Sequence, residues 1–290
     1  MLPQVVKIGR PGRGEIVTII CEARPGEIEA PLNYLLPTVS RPYTYPGRRG
    51  SDEFSKDTFD PRRVPIRNAR VLGGQTDLDH EGFRLVRHQT RVRNFYNPRE
   101  VRELYYPEVA ALVRHHTGAA RVIAFGHRLR SSSGNPAPGV YAYEVVRRVH
   151  NDYTDVSGPE AISECLGTEA GERMRRRFAI VQVWRPIQRA VARAPLALCD
   201  AQSVSPGDLV DSERHTPTGV VRTYMFTYNS AHRWFWFPQM QVGEALLFKV
   251  YDSMTDGRAR WVPHAAFDDP NTAADALPRE SIETRTLVCF

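Results

Sequence analysis

The chain has 290 residues, of which 41% are hydrophobic and 25% charged, and this is the composition of a globular protein with a sizeable core. It excludes a disordered tail and a small disulfide-stapled domain. The formal net charge is +6, but the basic runs are not interleaved with aromatic stacking residues, so we expect no nucleic-acid partner.

The four cysteines, Cys21, Cys165, Cys199 and Cys289, form no CxxC pair. Their scatter excludes a zinc ribbon or a thioredoxin-type motif and favours free thiols in a reducing compartment. Because we find neither a signal peptide nor a long apolar run, we expect a cytoplasmic protein with no membrane partner. We expect one domain over residues 1–290 and allow for a homodimer.

The first part of the chain, residues 1–75, is rich in Pro and Gly. This composition predicts a segment that covers the rest of the molecule, either as a closing lid or as a fixed layer of strands. From Pro98, apolar residues recur at spacings of three and four up to Gly118, which predicts a helix broken near Pro107.

Short β-like runs separated by turn signals then predict a β-barrel core over residues 120–290, with one helical insertion over 159–175. The predicted strands are 121–126, 141–149, 178–184, 196–199, 220–228, 234–237, 245–250, 260–263 and 281–290. Since no βαβ alternation appears, the expected fold class is mainly β with flanking helices, as an antiparallel barrel or a double-sheet jelly roll.

A His-x-Asp sequence, His150 and Asp152, ends one of these β-like runs. Side chains on a strand alternate, so both side chains point to the same face and converge on one point. With a second, distant histidine they form the 2-His-1-carboxylate triad of non-haem Fe(II) oxygenases, which leaves coordination positions open. The alternative is a surface Asp beside a strand-end His.

Three downstream histidines, His215, His232 and His264, are candidates for the third ligand. We favour His264, because alternation predicts that it shares a face with Val262 on a late strand and a final strand follows it. His232 opens an aromatic run whose expected role is packing, and His215 lies in a turn-like stretch.

Seven stretches, in this order, carry a family resemblance: VHNDYT, RRFAIVQVWRP, PLALCD, HRWFWFPQM, GEALLFKVYDS, PHAAFDDP and RESIETRTLVCF. The chain resembles the AsaB-type hydroxylase/desaturase family, which includes the gibberellin desaturase, and it is similar to the CmcJ component of cephamycin methoxylation. The resemblance is close over residues 140–290. It implies a double-stranded β-helix (jelly roll, cupin-like) that uses Fe(II), 2-oxoglutarate and O2 to hydroxylate or desaturate an unactivated C–H bond of a largely apolar natural product.

The resemblance also implies that His150, Asp152 and His264 are the iron ligands. It further suggests that Arg279 and Ser281, in an Arg-x-Ser pattern, bind the distal carboxylate of 2-oxoglutarate, because the arginine fork matches a carboxylate. Arg285 shares their strand face and competes for this role. A charged outer strand face is the alternative for all three residues.

Arg185 ends the run VQVWRP and is a candidate for binding an anionic substrate or the co-substrate, with a strand-end salt bridge as its other interpretation. Two rival functions stay open. One is a non-haem metal enzyme on the same barrel that does not use 2-oxoglutarate, and the other is a non-catalytic auxiliary or binding subunit.

Overall fold

The computed structural model describes residues 26–46, 52–53, 58–134, 141–216 and 219–290. Within these ranges the chain forms two β-sheets and a few helices, so the mainly β class with flanking helices is confirmed. The strands are β1 (Glu27–Leu35), β2 (Tyr43–Pro46), β3 (Asp52–Glu53), β4 (Phe59–Asn68), β5 (Phe83–Arg87), β6 (Arg121–Ser131), β7 (Tyr143–Glu144), β8 (His150–Asn151), β9 (Phe178–Pro186), β10 (Leu196–Cys199), β11 (Leu209–Thr216), β12 (Gly219–Phe226), β13 (Trp234–Trp236), β14 (Glu244–Asp252), β15 (His264–Ala266) and β16 (Glu280–Cys289).

The larger sheet has ten strands among the described residues, in the order β1-β4-β13-β10-β15-β8-β12-β11-β2-β3. The smaller sheet has the order β5-β14-β9-β16-β6-β7. Alternation of side chains fills both faces of the larger sheet: Leu198 packs between the two sheets, whereas its neighbours Ala197 and Cys199 pack on the opposite face. The two sheets therefore enclose one core and carry a further core on each outer side.

The helices are α1 (Pro98–Glu100), α2 (Tyr106–Thr117), α3 (Ser157–Leu166) and α4 (Ala170–Arg173). Between α1 and α2 lies a π-helical turn, Val101–Tyr105, and it ends just before Pro107. Proline has no N–H and clashes with the carbonyl four residues earlier, so a wider turn lets the helix continue where we expected a break. Helix α2 covers the outer face of the smaller sheet and ends at Gly118 with φ 67°, a left-handed cap.

Two predicted strands differ from the structure. Residues 141–149 contribute only the short strand β7, because the backbone after it lines a cavity and does not pair along its length. Residues 260–263 form no strand, and β15 begins at His264, immediately after Pro263, which has no N–H to donate to a ladder. In addition, β11 occupies a stretch we took for a turn and pairs along its whole length with β12.

The described part of the Pro-rich segment is a layer of strands. β1 pairs with β4, and β4 continues the larger sheet beside β13. Ala30, Tyr34 and Ile66 are fully buried, and bridges at Asn33 and Leu35 connect β1 to the far side of the same sheet. Residues 26–46 and 58–75 therefore cover the sheet as a fixed layer, while residues 1–25, 47–51 and 54–57 lie outside the described residues. The domain limits stay a prediction.

Three of the cysteines, Cys165, Cys199 and Cys289, are free thiols, and Cys21 lies outside the described residues. Among the helices that the structure describes, none is both long and apolar enough to span a membrane.

A buried ion network closes one end of the smaller sheet. Lys249 on β14 is 2% exposed and donates to Asp252 at 2.8 Å and to Asp79 at 2.6 Å. Arg177 reaches the same two carboxylates, at 2.8 Å and 2.5 Å, and Asp252 is fully buried. Each buried charge is thus held by opposite charges, and removing one of them leaves the others poorly compensated.

We predict that Lys249→Met lowers the free energy of unfolding by about 3–5 kcal/mol, because buried Asp252 then keeps Arg177 alone. Urea denaturation measures this change. Arg99→Met is the control: it breaks an exposed ion pair with Glu103 on one helix face, which is worth about 0.5 kcal/mol or less. Equal losses in the two variants would contradict the importance of the buried network.

Candidate active site

Neighbouring strands bring His150, Asp152 and His264 together. His150 lies in β8, Asp152 follows the end of that strand, and His264 begins β15 directly opposite His150 in the antiparallel register. One ligand atom from each residue lies within 4.8 Å of the other two, and the two imidazole centroids are 4.3 Å apart. This arrangement is a group of two nitrogens and one carboxylate oxygen around a common point.

Backbone carbonyls orient both imidazoles. His150 Nδ1 lies 2.9 Å from the carbonyl oxygen of Arg148, and His264 Nδ1 lies 2.9 Å from that of Val262. Because a carbonyl only accepts hydrogen bonds, each Nδ1 must carry the proton and donate. In the neutral ring Nε2 then keeps its lone pair, so both histidines present a metal-binding nitrogen to the same point.

Gln182 fixes the carboxylate of the group. This residue of β9 is fully buried, and its Nε2 donates to Oδ2 of Asp152. The other oxygen of Asp152, Oδ1, lies 3.6 Å from Nε2 of His150. One carboxylate oxygen is thus held from the smaller sheet while the other faces the histidines.

Burial and neighbouring charges shift the pKa values of this group. Burial lowers the pKa of His150 well below its usual value, and the adjacent His264 and Arg148 lower it further. Burial raises the pKa of Asp152, but interactions with His150, His264 and two arginines outweigh that effect, so the pKa lies below its usual value. A neutral imidazole and an ionised carboxylate are the forms that bind a metal.

Arg279 and Ser281 lie at the start of β16. Both side chains are buried, and each has a polar atom without a hydrogen-bond partner. Arg279 Nη1 donates to the carbonyl of Ala194 at 2.5 Å, and its guanidinium lies over the ring of Trp184. Nε of Arg279 and Oγ of Ser281 are buried with no hydrogen-bond partner in the described structure. Burial, with repulsion from Arg130, lowers the pKa of Arg279 to about 9.

Arg285 lies on the same strand face but near the triad. It pairs in register with Gln182 and lines the same cavity as His150 and Tyr153. Gly126 leaves room for it, since a Cβ there would stand 3.0 Å from Nη2 of Arg285. Six residues separate Arg285 from Arg279, or about 20 Å along an extended strand.

The structure does not bring Arg185 to this site. Arg185 shares the outer face of β9 with Val181 and Val183, donates to the carbonyl of Val242, and lies 3.1 Å from His88. Strand alternation therefore directs it toward the helix layer and away from the barrel interior.

The two other candidate histidines also lie elsewhere. His232 is buried between Tyr34, at 3.0 Å, and Asp208, at 3.1 Å. His215 is on β11, 3.2 Å from Glu213 and against the ring of Tyr45.

A cavity of about 570 Å³ opens on His150 and Asp152, and its size is within the range of pockets for drug-sized ligands. Most of its described lining residues are charged or polar. It contains Asn33, Phe59, Arg128, Arg130, Ser131, Ser132, Ser133, Gly134, Glu144, Val145, Val146, Arg147, Arg148, His150, Asp152, Tyr153, Arg214, Val221, Thr223, Glu283 and Arg285.

Sequence reasoning missed Gln182 and the inward-facing arginines of β6, Arg128 and Arg130. Gln182 could have been noticed as an amide inside the apolar run FAIVQVW, where a buried polar group needs a partner. Arg128 and Arg130 are two residues apart on β6, so their side chains share one face of that strand. The sequence alone does not show which face of β6 points inward.

The donor set fits Fe(II). Two imidazole nitrogens and one carboxylate oxygen would hold the ion as a facial triad, and the cavity beside His150 and Asp152 would leave room for 2-oxoglutarate, O2 and substrate. The unpartnered Arg279 Nε and Ser281 Oγ also suit a carboxylate, which would satisfy both atoms.

Comparisons with known proteins agree with an Fe(II) and 2-oxoglutarate site. The profile of a family described as "Oxidoreductase/YMDC permease-like domain" matches residues 32–289. The chain is 33% identical over 278 residues, 93% of this chain and 98% of the relative, to "Alpha-ketoglutarate-dependent dioxygenase phiK" of Fungal sp. (strain ATCC 74256). It is 32% identical over 263 residues, 83% of this chain and 88% of the relative, to "Hydroxylase/desaturase efuI" of Hormonema carpetanum.

This chain belongs to the hydroxylase/desaturase family of Fe(II)/2-oxoglutarate-dependent oxygenases. The solved structure titled "iron and alpha-ketoglutarate-dependent endoperoxidase NvfI" superposes with a TM-score of 0.81 at 26% identity, covering 91% of this chain and 98% of the other. The same name, nvfI, belongs to a relative of this chain from Aspergillus novofumigatus. The family resemblance and the jelly-roll fold are confirmed, and the family's cofactors are Fe(II), 2-oxoglutarate and O2.

We predict that replacing His150, Asp152 or His264 with Ala abolishes stoichiometric Fe(II) binding, because two donors cannot hold the ion facially. Iron bound per protein after anaerobic loading and desalting measures this. His232→Ala is the matched control, since His232 is an equally buried histidine outside the cluster, and its iron content should match the parent chain. Loss of iron in His232→Ala but not in His264→Ala would contradict the assignment.

Proposed function

We propose that this enzyme hydroxylates or desaturates an unactivated C–H bond of a small-molecule natural product, with His150, Asp152 and His264 as the iron ligands. The observation that carries the proposal is the triad with two preset Nδ1–H tautomers, which faces a cavity of about 570 Å³. Bound Fe(II) supplies activation of O2 coupled to decarboxylation of 2-oxoglutarate.

The chain's own residues keep the site rigid and partly dry. The carbonyls of Arg148 and Val262 prevent rotation of the imidazoles, and Gln182 prevents rotation of the Asp152 carboxylate. The ring of Phe248 lies edge-on to His264 at 4.8 Å between centroids and shields one side of that ligand. The cavity beside His150 and Asp152 is the entry that we assign to the substrate.

We assign the distal carboxylate of 2-oxoglutarate to Arg279 and Ser281. The support is that two buried polar atoms, from residues two apart in the sequence, have no hydrogen-bond partner in the described structure, and leaving such atoms unsatisfied is costly. Arg285 is the alternative, supported by its place in the cavity lining beside the triad, whereas Arg279 and Ser281 are not among the described lining residues.

We further propose a single domain over residues 1–290 that acts in the cytoplasm, without nucleic acid or a membrane, with a homodimer as the allowed assembly. Strands β4 and β5 support the single domain, because they precede residue 120 and yet pair with β13 and β14. Size-exclusion chromatography with light scattering distinguishes monomer from dimer.

The experiment that tests the proposed function is conversion of 2-oxoglutarate to succinate. Purified protein with Fe(II), 2-oxoglutarate and O2 should form succinate slowly without organic substrate, and Asp152→Ala should form none. Stoichiometric iron without any succinate would favour a metal enzyme that does not use 2-oxoglutarate. Absence of both would favour the auxiliary-subunit alternative.

We predict that Arg279→Gln raises the half-saturating concentration of 2-oxoglutarate for succinate formation at least about 30-fold. A desolvated charge pair is worth about 2–5 kcal/mol, and about 1.4 kcal/mol is a factor of ten. Arg279→Lys should recover part of the affinity, because an ammonium keeps the charge but loses the two-point fork. Arg285→Gln is the comparison variant, and a larger effect there than at Arg279 would transfer the role to Arg285.

A further inference from the structure

The cavity in front of the triad carries more positive than negative side chains. Its described lining contains six arginines and three carboxylates. The arginines are Arg128, Arg130, Arg147, Arg148, Arg214 and Arg285, and the carboxylates are Glu144, Asp152 and Glu283. This excess is unexpected for an oxygenase whose substrate we predicted to be largely apolar.

Partners inside the chain account for several of these charges. Arg130 holds Glu283 through two hydrogen bonds, Nε to Oε2 and Nη2 to Oε1, both at 2.8 Å. Arg147 donates to Asp268 at 2.7 Å. Arg130 and Arg147 are therefore occupied before any ligand enters, whereas Arg285 lies beside the triad, in register with Gln182, and is the alternative partner of the co-substrate.

Arg128 differs from them. It lies directly opposite Glu283 in the pairing of β6 with β16, yet both oxygens of Glu283 are taken by Arg130. Within the described part of the chain, the guanidinium of Arg128 makes no hydrogen bond or ion pair. It lies over the ring of Tyr143, 5.2 Å from the Arg128 Cζ atom to the centroid, and Glu283 and Asp152 attract it only at longer range. A half-buried guanidinium with five unused donors is a binding site for a planar anion.

The co-substrate leaves this charge unmatched. Asp152 and the keto-acid carboxylate of bound 2-oxoglutarate would balance the two positive charges of Fe(II), and Arg279 would take the distal carboxylate in the function proposed above. Arg279 is 3% exposed and enclosed, whereas Arg128 faces the open cavity. The two arginines thus suit two different anions, one held deep in the barrel and one that arrives from the cavity.

We propose that Arg128 binds a carboxylate of the organic substrate, which makes that substrate a carboxylic acid. This inference rests on the function proposed for the triad. The edge of the guanidinium receives the carboxylate in a two-point fork, while the ring of Tyr143 supports the guanidinium by a cation–π contact. The acid group then anchors the substrate on β6 while its carbon skeleton lies across the cavity toward the iron.

A panel of carboxylic acids and their primary amides tests the proposal. Octanoate, decanoate and 3-phenylpropanoate, each beside its amide, are titrated calorimetrically into protein held anaerobically with Fe(II) and saturating 2-oxoglutarate. At least one acid should bind at least about tenfold more tightly than its amide, and Arg128→Gln should remove that preference. The amide affinities should change little, since they do not use the charge.

Arg121→Gln is the matched control. Arg121 is on the same strand, forms an exposed ion pair with Glu169 at 2.9 Å, and is not among the described residues of the cavity lining. The control removes the same charge and should keep the preference for acids. Thermal unfolding of both variants shows that each is folded.

Three results would overturn the proposal: no acid preference in the parent chain, an equal loss in Arg121→Gln, or a preference that persists in Arg128→Gln. A parallel titration of 2-oxoglutarate separates the two anion sites, because loss of 2-oxoglutarate affinity in Arg128→Gln equal to its loss of acid affinity would assign Arg128 to the co-substrate. Iron content is measured in every sample, so failure of the triad itself is read independently.

Discussion

The position of His264 directly opposite His150 on adjacent antiparallel strands is the constraint on which the site depends. Cross-strand neighbours in such a pair stand close enough for their side chains to meet. Each ring is then oriented by the backbone carbonyl two residues before it, that of Arg148 for His150 and that of Val262 for His264. A slip of one residue between β8 and β15 would turn one histidine to the opposite face. The metal site is therefore a direct consequence of strand register.

The packing on both sides of the larger sheet protects that register. On one side Leu198, the residue of β10 that is paired with His264, packs into the core between the sheets. On the other side Ala197 and Ala265 pack beneath the layer formed by β1 and β4. Small residues on this outer face let the strand layer approach closely. The Pro-rich segment thus contributes to the site indirectly, by covering the back of the strands that carry it.

Polar residues on the inner face of the smaller sheet have different roles. Gln182 holds the carboxylate of Asp152, which we propose as a metal ligand, and Arg130 neutralises Glu283. Arg279, Arg128 and Arg285 form no ion pair with a carboxylate among the described residues. A buried ion is costly unless paired, so an unpaired arginine that is enclosed or lines the cavity indicates a ligand that supplies the missing charge. This reasoning links the proposed co-substrate and substrate sites.

Much of the site could be predicted from the sequence, but the structure supports the reasoning for only some of its residues. Alternation in an extended strand correctly predicts that His150 and Asp152 converge. His264 is brought beside them even though residues 260–263 form no strand, because the register of β15 and not the preceding alternation sets its position. The inward face of β6, and with it Arg128, could not be predicted, since a strand's two faces are distinguished by its partners and not by its own sequence.

The most direct test of the central claim is an anaerobic titration of the purified chain with Fe(II) and then 2-oxoglutarate, observed by visible absorption. Chelation of iron by the keto acid at a 2-His-1-carboxylate site should produce a weak charge-transfer band that saturates at one 2-oxoglutarate per iron. The same titration with His264→Ala should produce none. A chain that binds stoichiometric iron but gives no band with 2-oxoglutarate, or a band that survives in His264→Ala, would contradict the account.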